Sequence, residues 1–367
     1  MSKMIELPEW AYEMAPCLKE GPYAEAGRYF VQTLLNLPKD NYSDLVTIMC
    51  AYNIVHERDY LDNNFDVEPV AYFAQALRNQ GDFASTALKA MPKVGYPHVQ
   101  RPNYGDVKDE TGSHYGNLFS PFQDEKYFDE PTDFLRERLA RNGYPMEKFK
   151  EWSAVDIGCG NGRYTVALHN LGFKSVTGVD WSPMNIEDAE KRMKALKLDG
   201  IRYVTGNVLE VPLPDNSFDF VLSNGVLHHT ENPDKGVKEM MRVLKPGGIG
   251  MIMLIPNPGG LHWQSQEILR VVLKDIDYGK ARTVFDLLGV PANRRMFFLD
   301  HTMVPINIFY SRQEMEKVLT DAGACNLRFL DRGHDIDRVE RVYRGVPHAA
   351  ARYGIGDNRY YFEKPRR

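Results

Sequence analysis

The chain has 367 residues, 43% hydrophobic and 26% charged, which excludes wholesale disorder and leaves room for two folding units. A formal net charge of -5 gives no electrostatic ground for a nucleic-acid or anionic-membrane partner, so neither is expected. The opening MSKMIELPEW lacks the apolar core of a signal peptide, and the longest apolar run, Ile249 to Ile255, is too short to span a bilayer. Cys17, Cys50, Cys159 and Cys325 are scattered without metal or redox spacing, which fits a cytoplasmic location and predicts no metal site.

The first stretch reads as helices. Tyr23 to Asn36 carries Ala26, Tyr29, Phe30 and Leu34 at helical spacing, and Asn41 to Asp59 repeats the pattern with Leu45, Ile48, Tyr52 and Val55. Pro69 to Gln80 and Asp82 to Met91 read as a further pair divided by Gly81. These apolar stripes suit an internal core and a homodimer interface equally well. Met91 to Asn117 is rich in Pro, Gly, Asn and Asp and reads as a loop. Aromatics then gather around Tyr115 and Tyr127, before a helix over Glu130 to Asn142.

From Trp152 short apolar runs alternate with helical patterns, the signature of a parallel sheet with crossover helices. Strands are expected at Ala154–Ile157, Ser175–Val179, Ile201–Thr205, Phe218–Asn224 and Ile249–Ile255. The helices between them are Arg163–Leu171, Met184–Leu196 and Asp234–Leu244. A capping box, Ser311 with Glu314, opens a helix to Ala322, and strands at Asn326–Leu330 and Arg359–Glu363 finish the sheet. The stretch Pro256 to Tyr310 is too long for an ordinary connection and reads as a cap. The expected division is a helical domain over 1–110, a lead-in and lid over 111–150, and an α/β domain over 151–367 with a cap insertion over 257–310.

The strongest motif is Val155-Asp-Ile-Gly-Cys-Gly-Asn-Gly-Arg163, a strand running through a glycine-rich turn into a helix. Gly158, Gly160 and Gly162 allow the backbone to approach a ligand where a Cβ would clash. Asp180 ends the second strand, roughly twenty residues on, as an acceptor for ribose hydroxyls should. Trp181 follows it and can pack on a flat adenine face. A dinucleotide fingerprint would want its third glycine at position 163, where Arg163 stands, so a nicotinamide enzyme is disfavoured.

These residues resemble the class I, Rossmann-like S-adenosylmethionine methyltransferases, in particular the quinone-biosynthesis type. The likeness runs from Trp152 to Gly248. Its blocks are Asp156 to Gly162, Val179-Asp180, Gly206-Asn207, Leu213 to Val221, Gly225 to His229 and Arg242 to Gly248. The resemblance implies a mostly parallel seven-stranded sheet flanked by helices, with S-adenosylmethionine as cofactor and S-adenosylhomocysteine as product. It puts Asp156, Gly158 and Gly160 on the methionine moiety, Asp180 on the ribose, Asn207 and Val208 at the adenine edge, and Asn224 beside the methionine amine. Gly206-Asn207 stands where the family usually has Gly-Asp, and an amide oxygen can still accept from an adenine amino group.

Methyl transfer from a sulfonium is an in-line displacement that needs alignment and dryness, and a base only when the attacking atom carries a proton. His228 and His229, after the fourth strand, are candidate bases or backbone-bonded structural histidines. Asp300-His301 in the cap is a second candidate pair. Tyr115, Tyr127 and Tyr310 are candidates to line the acceptor or shield the sulfonium. His334-Asp-Ile-Asp337 lacks a completing ligand and reads as an exposed loop. The leading expectation is methylation of an N, O or S atom of a small metabolite. The alternatives are a catalytically silent cofactor-binding scaffold and an enzyme acting on a macromolecule, the latter disfavoured by acidity.

Overall fold

The computed structural model describes residues 5–90 and 124–366. Tyr115 therefore lies outside the described residues, and Tyr127, though its backbone lies in a helix, has no described side chain. The chain separates into two compact units, one of residues 1–103, 259–303 and 345–354, the other of residues 104–258, 304–344 and 355–367.

The first unit is helical. Its longest helices are Asn41–Asn63 and Pro69–Ala90, beside Ala24–Leu35. Gly260–Leu273 is buried on nearly every face and packs against Glu9–Met14, Ala24–Leu35, Asn41–Asn63, Ala292–Met303 and Ala349–Tyr353, so it is the core of this unit. The stretch read as a cap thus contributes the central helix around which the N-terminal helices pack. Asp40 caps Asn41–Asn63 by accepting from Ser43 N–H at 2.8 Å. The other end is held by the buried Arg352 guanidinium, which donates to the carbonyls of Leu61, Asn64, Phe65 and Val67. Pro69–Ala90 runs unbroken through Gly81, where the sequence suggests a break. A single glycine weakens a helix by only about 1 kcal/mol. A Cβ there would stand 2.8 Å from the Tyr29 ring, so close packing accounts for the glycine.

The second unit is built on one sheet. Its strands are β1 (Ser153–Ile157), β2 (Ser175–Asp180), β3 (Ile201–Thr205), β4 (Phe218–Asn224), β5 (Leu244–Pro256), β6 (Phe309–Tyr310), β7 (Cys325–Phe329) and β8 (Asn358–Glu363). They lie in the order β3-β2-β1-β4-β5-β8-β7, with the two-residue β6 pairing the end of β5. β1 to β6 pair in parallel and β8 is antiparallel to both its neighbours, a Rossmann-like, mostly parallel arrangement. Val155, Ile157, Val221, Ile252 and Leu254 bury into the cluster on one face, and Ala154, Phe220, Leu222 and Met251 into that on the other. That alternation is the reason the central strands read as nearly continuous apolar runs. The chain crosses from β1 outward to β3 and then returns to β4 on the other side of β1. The reversal leaves a crevice at the carboxyl ends of β1 and β4.

β1 empties into that crevice through its glycine turn. Gly158, Gly160 and Gly162 all have positive φ, at 80°, 53° and 91°. Gly162 is also hemmed in, since a Cβ there would lie 2.2 Å from the Tyr203 hydroxyl oxygen. A Cβ at Gly158 would lie 2.2 Å from Val226 Cγ1. The glycines therefore close the turn against the protein itself, whatever ligand lies beyond it.

Ionic links tie the helix Asp124–Arg141 to the segment before β8. Arg138 donates both Nε and Nη2 to Asp337 at 2.6 Å, and Arg359 and His334 N–H add bonds at 3.1 and 3.0 Å. Asp335 and Ile336 are exposed as the loop reading expects, but Asp337 is buried, which corrects that reading at its last residue. A carboxylate ringed by buried guanidinium groups cannot be recognised from a four-residue motif whose partners lie far away in sequence. Nearby, the fully buried Glu340 accepts from Arg332, Arg344 and Gly333 N–H.

Two outcomes follow from this packing. Arg332, Arg344 and the Gly333 amide overcome burial and hold Glu340 at about 2, below its ordinary 4.5. A lowered folded value means the stabilisation is complete above 4.5 and is lost as pH falls toward 2. Glu340→Gln should therefore lower the melting temperature at neutral pH and flatten its decline across that acid window; equal slopes for the two proteins would contradict the assignment. Gly162→Ala should cost roughly 2 kcal/mol or more, from the positive φ and the clash together. Adding Tyr203→Phe should recover part of the loss in a urea titration, since the hydroxyl is the nearest atom; no recovery would show that φ alone matters.

Candidate active site

Asp156 and Asp180 stand at the carboxyl ends of neighbouring strands. Asp156 is buried and its Oδ2 accepts from Thr165 Oγ1 at 2.8 Å. Burial pushes its carboxyl up to about 7, against the Thr165 bond and with help from the nearby Asp180 charge. Asp180 Oδ2 accepts from Gly160 N–H at 2.8 Å, and its Oδ1 from Ser182 N–H and Asn185 Nδ2, both at 3.0 Å. Burial raises its carboxyl too, while those three donors pull the other way. Among the described residues neither carboxyl is paired with a cationic side chain. A carboxylate accepts roughly four hydrogen bonds, so Asp180 has room for about one more donor.

The remaining turn residues are braced. Asn161 Nδ2 reaches Asp188 Oδ2 at 3.1 Å, linking the turn to the helix Pro183–Ala195. Trp181, just beyond Asp180, is 39% exposed. Asn207 follows β3, and its Oδ1 accepts from Leu209 N–H at 2.9 Å in a local turn. That bond takes one acceptor position of the oxygen expected to meet an amino group. Val208 is buried in the core cluster on the same side as Val179. Asn224 closes β4, and its Oδ1 is buried with no partner.

The pair after β4 is buried. His229 Nδ1 lies 2.8 Å from the Ile306 carbonyl, which can only accept, so this nitrogen carries a proton. The His228 ring stands beside that of His229 with centroids 4.0 Å apart, and the His228 carbonyl accepts from Ile308 N–H at 3.0 Å. Tyr310 is placed in the core by its pairing with β5, and burial raises its hydroxyl to about 12. His301 belongs to the helical unit, where its Nδ1 is 3.3 Å from Gln266 Nε2 and its Nε2 is 3.6 Å from Asp300 Oδ2.

The structure thus brings together Asp156, Gly158, Gly160, Asp180 and Trp181 around one turn, with Asn224 ending β4 and His228 and His229 following it. The sequence reading passed over Thr165 and Asn185, which hold the two carboxyls, although Asn185 could have been found from the Ser182-Pro183 start of its helix. The polar groups fit a cationic nucleoside: one buried and one half-buried carboxyl without a cation among the described residues, a turn of positive-φ glycines, and an orphaned buried oxygen at Asn224.

Residues 155–252 match a family model described as a methyltransferase domain. The chain is similar to a 27-O-demethylrifamycin SV methyltransferase of Amycolatopsis mediterranei (strain S699), 34% identical over 174 residues, which are 46% of this chain and 62% of that one. It is also similar to a demethylmenaquinone methyltransferase of Geobacillus stearothermophilus, 29% identical over 154 residues, 41% of this chain and 62% of the relative. The chain therefore spans about three-fifths of the length of these curated relatives. Among solved structures, geranyl diphosphate C-methyltransferase from Streptomyces coelicolor A3(2) superposes with a TM-score of 0.43 at 17% identity, over 71% of this chain and 98% of the other. The glycine turn, the paired carboxyls and strands β1 to β4 with most of β5 all lie within residues 155–252, the segment that matches the methyltransferase domain model.

Proposed function

We propose that this protein transfers a methyl group from S-adenosylmethionine to an N, O or S atom of a small molecule, releasing S-adenosylhomocysteine. The observation that carries the reading is a pair of carboxyls, the buried Asp156 and the half-buried Asp180, flanking a glycine turn with no cationic side chain paired to either among the described residues. A sulfonium nucleoside, when bound, supplies an electrophilic methyl group and a positive charge. Asp180 would accept from a ribose hydroxyl while keeping Gly160 in place, and Asp156 would stand beside the methionine portion. Asn207, Val208 and Trp181 would border the adenine, with Asn224 offering its unpartnered oxygen to the methionine amine. The buried His228 and His229 would border the acceptor at the end of β4 and exclude water from it. Two of the relatives are named for acting on a rifamycin and on demethylmenaquinone, which supports a small-molecule acceptor. Among the described residues no helix is long and apolar enough to cross a membrane.

Incubation with S-adenosylmethionine and fractionated metabolite extract should produce S-adenosylhomocysteine above the background without extract. Failure of every fraction would remove the enzymatic reading. Asp180→Ala should weaken S-adenosylmethionine binding by at least about 1 kcal/mol, through the lost acceptor and the loosened Gly160. Isothermal calorimetry measures this directly, and unchanged affinity would refute the placement of the ribose.

A further inference from the structure

The segment that enters β6 runs back to the residues following β4. Ile306 gives its carbonyl to the His229 ring, and Ile308 gives its N–H to the His228 carbonyl. Asn307 lies between these two anchored residues, so its backbone is held on both sides at the His228–His229 pair. Both polar atoms of its side chain, Oδ1 and Nδ2, are buried and have no hydrogen-bond partner. Among the described residues no other side-chain amide has both atoms in this condition. Asn358, for comparison, spends its Nδ2 on the Tyr310 carbonyl. Buried polar groups are nearly always paired, and an amide with neither its donor nor its acceptor satisfied is costly to keep.

We propose that Asn307 is a specificity-determining residue for the methyl acceptor and that it selects a neutral hydroxyl. The assignment rests on the methyl-transfer reading above. A hydroxyl donates to Oδ1 and accepts from Nδ2, satisfying the whole carboxamide. A carboxylate brings no donor and leaves Oδ1 unpaired, and an ammonium brings no acceptor and leaves Nδ2 unpaired. Each mismatched head group also carries a charge that the uncharged amide cannot neutralise away from water. Discrimination of this kind comes from leaving a buried group unpaired with the wrong ligand.

Phenol, benzoate and benzylamine share a ring and differ in this head group, so they serve as probes. Their binding is measured by saturation-transfer NMR with S-adenosylhomocysteine saturating. Phenol should bind the wild type at least about tenfold more tightly than either charged probe. Asn307→Leu should abolish that preference while S-adenosylhomocysteine affinity, read by calorimetry, stays within about twofold. Asn307→Asp, which turns the amide into an acceptor only, should shift the preference toward benzylamine; a merely structural role for Asn307 would not produce that reversal. If S-adenosylhomocysteine fails to bind the wild type, the methyl-transfer reading itself falls. If it binds normally and phenol shows no preference, or keeps one in Asn307→Leu, the assignment of Asn307 is overturned alone.

Discussion

The Asp180 carboxylate joins parts of the chain that would otherwise be independent. One of its oxygens takes the Gly160 N–H of the turn after β1, and the other takes Ser182 N–H and Asn185 at the start of the next helix. Because the turn is made of glycines at positive φ, it has little rigidity of its own, and a charge-assisted hydrogen bond from the neighbouring strand fixes it. The same carboxylate is raised by its own burial, so the fold holds an acidic group in a state that an incoming cation would relieve. The geometry of the turn and of the next helix start is thereby set by one side chain.

The central part of the chain was legible because its information is local. Apolar runs of strand length, glycines at a strand end and an acid at the end of the next strand all lie within short windows. The Ser311–Glu314 capping box is present as read, with Ser311 accepting from Glu314 N–H and Glu314 from Ser311 N–H. What could not be read depends on residues far apart. Gly81 looks like a break until Tyr29, from another helix, is seen to lie against it. Asp337 looks like a loop residue until Arg138 and Arg359 reach it. β6 has only two residues and pairs by virtue of where β5 ends, so no periodicity could announce it.

The site divides in the same way. Residues that build the turn, Asp156 through Gly162 and Asp180, carry a spacing that a sequence displays. Asn307 carries none: nothing in Pro305-Ile-Asn-Ile308 distinguishes it from a loop asparagine. Its condition becomes visible only when the chain folds back and both flanking residues bond to the histidine pair. The proposed cofactor contacts come from the glycine-turn supersecondary unit, whereas the flank beyond β4 is completed by a segment arriving much later in sequence.

The helical unit is assembled from three stretches of chain, with Gly260–Leu273 at its centre. Its consequence falls on biosynthesis. A ribosome that has released the N-terminal helices must still translate the strands through β5 before the helix that buries them exists. At ~5–20 residues per second that delay is on the order of ten seconds or longer. Throughout it Ala24–Leu35 and Asn41–Asn63 can pack on Pro69–Ala90 while the faces that Gly260–Leu273 covers stay open, which makes the nascent chain a natural client for chaperones.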